Sequence, residues 1–275
     1  MSATIPSEPV RAALSISGRR LSYLDFGGPG PLVLALHGHF GEGRTFAHLA
    51  RRLAPDWRVV ALDQRGHGYS DQPSDFSRAG YVADAAAVLH HLDAGPAVVL
   101  GHSLGGVNAY ELAARHPRLV RALVIEDIGA EVEGDLSFCL AWPHRAPTRS
   151  ALVEALGGSA AYLSDAMREY GDGWGLAFRP EGMVASQRNL NGSHWQAWLG
   201  SDCPALLVRG SRSSVLSADH AQEMAAKRPA TRLVELPTGH TVHATDPEGF
   251  AAAVRTFLSG LAEGRPRGAR RPFPR

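Results

Sequence analysis

The sequence contains little cysteine, little lysine and no long apolar run. Its 275 residues include two cysteines, Cys139 and Cys203, too few for a small fold held together by disulfide bonds. No apolar run approaches the ~18 to 20 residues that cross a bilayer, so we expect no membrane span. Only one of the 28 basic residues is a lysine, and 27 acidic residues oppose them, so neither charge dominates.

The basic residues are unevenly distributed along the chain, because five arginines fall within the last twelve residues. We expect residues 263–275 to form a disordered, arginine-rich tail, since arginine, proline and glycine bury no core. A nucleic-acid-binding protein is expected to carry its basic excess on a folded face, so no nucleic-acid partner is predicted. The first twenty residues lack a basic start followed by an apolar stretch, which predicts a cytoplasmic protein without a secretory signal.

Short, continuous apolar runs alternate with helix-like stretches along most of the chain. Such runs are typical of strands buried on both faces of a parallel sheet. The alternation predicts an α/β fold with a doubly wound, mostly parallel eight-stranded sheet flanked by helices. The predicted strands are an opening hairpin (13–17 and 21–26) and the runs 32–36, 57–62, 97–100, 120–125, 205–208 and 231–236; the predicted helices are 44–53, 78–92, 104–116, 218–228 and 247–261.

One long interval interrupts this alternation. A structureless loop of about seventy residues is uncommon in a compact domain, so we predict an inserted helical cap at residues 130–201. Residues 1–129 and 202–262 would then form the core domain. The interval holds four of the five tryptophans, and two interpretations stay open: they form the core of the cap, or they line a substrate pocket. These tryptophans are Trp142, Trp174, Trp195 and Trp198.

A candidate nucleophile lies directly after the predicted strand at 97–100. The stretch Gly101-His102-Ser103-Leu104-Gly105 is a G-x-S-x-G motif between a strand and a helix. Glycines at both ends permit the sharp turn that raises a serine hydroxyl above the sheet edge. We therefore predict that Ser103 is the nucleophile of an acyl-transfer site.

The serine needs a base, and thirteen histidines make residue type alone uninformative. His240 lies beyond the last predicted strand, at the sheet edge where active sites of α/β proteins form. We predict His240 as the base, with His243 as the alternative.

The base in turn needs an acid that holds its tautomer. Asp127 lies at the end of the run 120–125, and we predict it as that acid. Glu126 and Asp219 remain alternatives. The chain order of serine, aspartate and histidine is then the order found in α/β-hydrolases.

Negative charge that develops on a substrate oxygen needs backbone donors. We expect the N–H of Leu104, directly after the nucleophile, and the N–H of His39, in the loop after the strand 32–36. The residues that we predict to line the substrate pocket are Phe40, His102, Trp142, Trp174 and Trp195. We find no C-x-x-C or H-E-x-x-H pattern and no phosphate-binding loop, so we predict no metal and no cofactor.

Four motifs within residues 13–261 resemble the α/β-hydrolase superfamily: HG at 37–38, DQRGHGYSD at 63–71, GHSLGG at 101–106 and GH at 239–240. Most members of that superfamily carry the acid after the seventh strand, in a G-x-x-D stretch. The matching stretch here is 210–213, and it has no aspartate. Asp127-Ile128-Gly129 instead resembles a variant, found in some small carboxylesterases, whose acid follows the sixth strand.

The resemblance implies an acyl hydrolase, since the dehalogenases and epoxide hydrolases of the superfamily use aspartate where this chain has Ser103. We expect cleavage of a carboxylic ester, or a related lactone or thioester, in a small and largely apolar substrate through an acyl-enzyme. Three alternatives remain: a cofactor-free perhydrolase or haloperoxidase, an acyltransferase with the same three residues, and a non-catalytic ligand-binding relative. Fold alone does not decide among them.

Overall fold

The structure is a computed structural model of the chain, and it describes residues 8–16 and 18–263. Its central feature is an eight-stranded sheet in the order β1-β2-β4-β3-β5-β6-β7-β8. The strands are β1 (Val10–Ile16), β2 (Arg19–Asp25), β3 (Leu32–Leu36), β4 (Arg58–Leu62), β5 (Ala97–His102), β6 (Val120–Glu126), β7 (Ala205–Gly210) and β8 (Thr231–Leu236).

Six of these strands, β3 to β8, run parallel to one another, whereas β2 pairs antiparallel with both β1 and β4. This arrangement confirms the predicted eight-stranded, mostly parallel sheet. Since β3 has β4 on one side and β5 on the other, the direction of winding reverses between β3 and β5. Ligands of open α/β sheets bind at such a reversal, beyond the carboxyl ends of the strands.

Helices cover both faces of the sheet, as the predicted fold requires. One apolar cluster joins one sheet face to α2, α3 and α7, and a second joins the other face to α1 and α9. Neighbouring residues of β3 divide between the two, with Leu34 in the first cluster and Val33 in the second. The helices are α1 (Ala47–Leu53), α2 (Arg78–Leu92), α3 (Leu104–Arg115), α4 (Arg149–Leu156), α5 (Pro180–Leu190), α6 (Trp195–Trp198), α7 (Ala218–Lys227), α8 (Val242–Thr245) and α9 (Pro247–Glu263).

The inserted segment (residues 130–201) contains α4, α5, α6 and a small hairpin of Met167–Tyr170 and Gly173–Leu176. A third apolar cluster is built almost wholly from its residues, and Phe40 of the loop after β3 joins them. Trp142 and Trp174 pack against that cluster. Trp195 and the fully buried Trp198 instead pack into the first apolar cluster, between the sheet and α2, α3 and α7. The role of the segment as a cap over the site remains a prediction.

Two further predictions concern the ends of the chain and the membrane. The arginine-rich tail lies, from residue 264 onward, outside the described residues, and Glu263 is the last residue of α9. Within the described part of the chain, we find no helix with both the length and the apolar character needed to cross a bilayer.

Candidate active site

Ser103 occupies a strained turn between β5 and α3. Its backbone has φ +52° and ψ −119°, a conformation that non-glycine residues seldom adopt. The turn is tight because two glycines permit it: a Cβ atom on Gly101 would overlap the backbone of Gly105, and one on Gly105 would overlap the backbone oxygen of Leu36. The packing of α3 against the sheet therefore places Ser103 at the reversal between β3 and β5.

Asp127 and His240 are brought together from the ends of two strands. Asp127 directly follows β6, and its Oδ2 lies 2.8 Å from His240 Nδ1 in the loop after β8. The carboxylate is fully buried, and it also accepts hydrogen bonds from Gly210 N at 2.8 Å and from Ser213 Oγ. Because an ionised carboxylate only accepts, the proton of a neutral His240 lies on Nδ1, which leaves Nε2 as a proton acceptor.

The candidate nucleophile adjoins this pair through the backbone. Ser103 N donates to the carbonyl oxygen of Glu126 at 3.0 Å, so Ser103 and Asp127 lie at adjacent strand ends. The ring of the preceding residue, His102, lies 4.7 Å from the ring of His240, and its Nε2 lies 3.1 Å from the His240 carbonyl oxygen. Ser103 Oγ makes no hydrogen bond with any described residue, and the contact between nucleophile and base is often looser when no substrate is bound.

Two backbone donors lie beside Ser103. Within the described part of the chain, neither Leu104 N nor His39 N donates a hydrogen bond to another residue. Leu104 is the first residue of α3, where an N–H has no acceptor inside the helix. The loop after β3 turns sharply at Phe40, whose φ is +67°. These N–H groups are free to bind an oxygen with developing negative charge, as an oxyanion hole requires.

Several buried histidines surround the site and are neutral at pH 7. Burial lowers the pKa of His37 to about 4 and that of His102 to about 3. It also holds the pKa of His39 well below its ordinary value. His240, by contrast, has a side chain that is 30% exposed and a direct contact with a carboxylate. Among these four residues, only His240 combines solvent access with an acid partner.

The two alternatives for acid and base, Glu126 and His243, pair with each other. Both oxygens of Glu126 lie 2.9 Å from His243 Nδ1, and His243 N donates to Glu126 Oε1 at 2.8 Å. His243 Nε2 in turn lies 2.7 Å from Thr45 Oγ1. Asp219 lies in the first turn of α7. The structure thus pairs Asp127 with His240 and leaves Glu126 and His243 as a separate, buried pair.

The predicted pocket residues divide into two groups. Phe40 and His102 line a cavity of about 290 Å³ beside the loop after β3. Of the described residues that line this cavity, none is a tryptophan; Trp142 packs on Phe40 with ring centres 5.1 Å apart, and Trp195 packs on His220. Trp174 pairs through its backbone with Ala146.

A larger groove of about 950 Å³ lies elsewhere, between the loop after β4 and the inserted segment. Phe76 and Phe178 line it, but Ser103, Asp127 and His240 do not. The same three residues do not line the smaller cavity either, but that cavity is lined by His102, which directly precedes Ser103, and by Gly38 and His39 of the loop after β3.

Two residues near the site, Ser213 and Thr45, were not predicted from the sequence. Ser213 occupies the fourth position of the stretch 210–213, where most members of the superfamily carry their acid, and it contacts Asp127, the predicted acid. That position could have indicated Ser213. Thr45 has no comparable local signal, because its partner His243 is 198 residues away in the chain.

The sequence profile of the alpha/beta hydrolase family matches residues 32–253. The chain therefore belongs to the alpha/beta hydrolase family, and the eight-stranded sheet agrees with that assignment.

Similar proteins include hydrolases and esterases. 2-(Acetamidomethylene)succinate hydrolase from Mesorhizobium japonicum is 32% identical over 252 residues, which cover 84% of this chain and 89% of the relative. Pimeloyl-[acyl-carrier protein] methyl ester esterase from Chromobacterium violaceum is 30% identical over 254 residues, which cover 86% and 94%. The crystal structure of E-2-(acetamidomethylene)succinate hydrolase superposes with a TM-score of 0.82 at 26% identity, covering 92% of this chain and 100% of that one. The names of these relatives support a hydrolase.

Proposed function

We propose that the protein is a serine hydrolase that cleaves a carboxylic ester, or a related lactone or thioester, through an acyl-enzyme. The observation that carries this proposal is the 2.8 Å contact between His240 Nδ1 and the buried Asp127, whose strand β6 is the neighbour of the strand that ends at the strained Ser103. An acid–histidine pair beside a serine is the arrangement that activates a hydroxyl for attack on a carbonyl carbon.

The reaction then proceeds in two steps. Ser103 Oγ attacks the acyl carbon while His240 Nε2 takes its proton. The carbonyl oxygen becomes negatively charged, and the N–H groups of Leu104 and His39 donate hydrogen bonds to it. His240 returns the proton to the leaving alcohol or thiol, and the acyl group stays on Ser103. Water then attacks the acyl carbon while His240 takes its proton, the bond from that carbon to Ser103 Oγ breaks, and His240 returns the proton to Oγ as the acid leaves. Asp127 stays ionised and holds the orientation of His240.

The names of the relatives suggest which acyl bonds to test. One relative is named for a methyl ester and another for an acetamido compound. We therefore test this protein on esters first and on an acetamido compound second. The substrate panel accordingly contains p-nitrophenyl esters from acetate to octanoate, together with 2-(acetamidomethylene)succinate.

The test compares the wild type with Ser103→Ala on this panel. We expect ester hydrolysis by the wild type, a fall to the uncatalysed background in Ser103→Ala, and an acyl group on Ser103 in peptides from quenched reactions. Equal turnover by the two proteins would contradict the assignment of Ser103. An acyl-Ser103 that water does not release, but an added alcohol does, would identify an acyltransferase instead.

A further inference from the structure

The loop after β3 carries His39 N, the second N–H group that we assign to the oxyanion. The carbonyl oxygen of the same peptide, Gly38 O, accepts hydrogen bonds from His37 Nδ1 at 2.7 Å and from Gly41 N at 3.3 Å. His37 Nε2 in turn accepts from Gln64 N at 3.0 Å. The C=O and N–H groups of a trans peptide lie in one plane and point in opposite directions, so these bonds help to direct His39 N. The core domain therefore holds the first half of this loop.

The inserted segment (residues 130–201) holds the second half of the loop. Phe40, whose φ of +67° is uncommon for a non-glycine residue, packs into the third apolar cluster, with its ring centre 5.2 Å from that of Phe178. His39 Nε2 lies 2.9 Å from Ser186 Oγ, and Ser186 is a fully buried residue of α5. The side chain of His39 is thus bonded to a hydroxyl that the inserted segment supplies.

The Ser186 hydroxyl has a second buried partner. Tyr81 OH, on α2, lies 2.9 Å from Ser186 Oγ, and Tyr81 is 2% exposed. Burial holds the pKa of His39 well below its ordinary value, so its ring is neutral at pH 7. A hydroxyl group both donates and accepts, so the contact with Ser186 forms with either tautomer of the neutral ring. Three buried side chains therefore connect α2 and α5 to the residue that carries the oxyanion donor.

We propose that Ser186 is a positioning residue of the oxyanion hole: through the ring of His39 it keeps the N–H of His39 directed at the carbonyl oxygen of the substrate. The inference rests on the proposed ester hydrolysis, and it gives the inserted segment a part in the rate of that reaction. Loss of one oxyanion donor lowers the rate by about 10²- to 10³-fold, and a displacement of about 1 Å costs about 100-fold. Because the His37 contact remains, we expect the loss of the Ser186 hydroxyl to cost about 10- to 100-fold.

The first experiment removes this hydroxyl. Alanine is a good helix former and is smaller than serine, so Ser186→Ala should fold. It should lower kcat/KM for p-nitrophenyl butyrate by about 10- to 100-fold. Ser186→Thr, which keeps a hydroxyl at this position, should retain more of the activity than Ser186→Ala. Ser22→Ala is the matched control, because Ser22 of β2 is also fully buried and its hydroxyl accepts from Arg11 Nη1 at 2.8 Å; its kcat/KM should stay close to that of the wild type.

A transition-state analogue separates oxyanion stabilisation from a general loss of packing. Propyl trifluoromethyl ketone has the acyl chain of butyrate. Ser103 Oγ adds to its carbonyl carbon while His240 takes the proton, and the electron pair of the C=O bond moves to the oxygen, which becomes negative. The inhibition constant of this ketone should rise in Ser186→Ala by the same factor by which kcat/KM falls, and it should stay close to the wild-type value in Ser22→Ala.

A double variant tests whether Ser186 acts through His39. His39→Phe keeps an aromatic ring and removes the ring nitrogen that contacts Ser186. Adding Ser186→Ala to His39→Phe should then lower kcat/KM no further, whereas the losses caused by independent residues multiply.

Two results would overturn the assignment: Ser186→Ala has the kcat/KM of the wild type, or the two losses multiply in the double variant. Comparison of the wild type with Ser103→Ala on the same ester tests the proposed reaction separately. If the wild type hydrolyses no ester, ¹⁵N relaxation of the His39 amide still decides the question. Its order parameter should be about 0.85 in the wild type and in Ser22→Ala and should fall towards about 0.6 in Ser186→Ala. Equal values in the three proteins would refute the assignment.

Discussion

At the scale of single residues, the loop after β7 carries a hydrogen-bond donor at the position where an acid is usual in the superfamily. Most members of the superfamily carry the acid at the position of Ser213, whereas here Ser213 donates a hydrogen bond to an acid that follows β6. Asp127 adopts a left-handed backbone conformation, with φ +51°. Gly210 N and Ser213 Oγ donate hydrogen bonds to its carboxylate oxygens. Since Ser213 contacts the same oxygen that contacts His240, a carboxylate at either position can reach the ring.

We therefore predict that the acid can be moved from Asp127 to position 213. Asp127→Asn should lower kcat/KM for p-nitrophenyl butyrate by about 10³- to 10⁴-fold, because the amide no longer holds the right tautomer of His240. Adding Ser213→Asp to that variant should restore at least about tenfold, because it returns a carboxylate to His240 Nδ1. Steady-state kinetics measures both changes.

The control for this exchange is Ser211→Asp in the Asp127→Asn background, since Ser211 is exposed and lies two positions away. That variant should recover nothing. Full activity of Asp127→Asn alone would show that the acid is another residue.

At the scale of elements, the position of Ser103 depends on how closely α3 approaches β3. Gly105 lies in the first turn of α3, and a Cβ atom there would overlap the backbone oxygen of Leu36 at the end of β3. The helix can therefore approach the sheet only with glycine at this position. Leu104 N, which we assign to the oxyanion, moves with the same turn.

Gly105→Ala should consequently affect both stability and rate. We expect the free energy of unfolding to fall by about 1–3 kcal/mol or more, because backbone must move to admit the methyl group. A shift of the turn also misplaces Ser103 and Leu104, so kcat/KM should fall by at least about tenfold. Urea unfolding and ester hydrolysis measure the two effects.

Gly158→Ala is the matched control, since a Cβ atom on Gly158 meets no atom within 4 Å. It should change the free energy of unfolding by less than about 1 kcal/mol. Equal losses in the two variants would show that the approach of α3 to β3 is not what Gly105 provides.

Elements could be predicted from the sequence because their signals are local. The run at 205–208 is apolar on both faces, as a central parallel strand requires, and the structure places β7 at Ala205–Gly210. Ser103 was predictable because its glycines and flanking elements lie within a few residues. The contact of Glu126 with His243 joins residues 117 positions apart, and no local pattern reports it.

The inserted segment shows the same limit. Its tryptophans allowed two interpretations, a core of the cap or the lining of a pocket, because composition does not say which way a ring faces. Trp198 is fully buried in the first apolar cluster, and its Nε1 donates to the carbonyl oxygen of Met224 at 3.0 Å. Only the packing of α6 against α3 and α7 decides that direction, and this packing depends on the whole fold.

At the scale of the whole molecule, the fold buries histidines that the unfolded chain would protonate. His37, His67 and His102 are at most 3% exposed. Burial lowers the pKa of His37 to about 4 and the pKa values of His67 and His102 to about 3. Between pH 4 and 6.5 the unfolded chain therefore binds more protons at these residues than the folded protein does, and acid favours unfolding.

Glu42 acts in the opposite direction. Burial raises its pKa to about 7, so between pH 4.5 and 7 the folded protein holds a proton that the unfolded chain has lost. Its contribution to stability therefore declines as the pH rises through that range. One such carboxyl group opposes four histidines, because burial also holds the pKa of His39 well below its ordinary value, and each group contributes about 1.4 kcal/mol per pH unit. The histidines determine the sign.

We predict that the free energy of unfolding falls by about 4 kcal/mol as the pH is lowered from 6 to 5. Urea unfolding at a series of pH values measures the slope. In His67→Phe one buried titrating ring is gone, so the slope should decrease by about 1.4 kcal/mol per pH unit. His144→Gln alters a histidine whose side chain is 64% exposed, and it should leave the slope as in the wild type. If His67→Phe and the wild type lose stability at the same rate, proton uptake on unfolding comes from groups other than this buried ring.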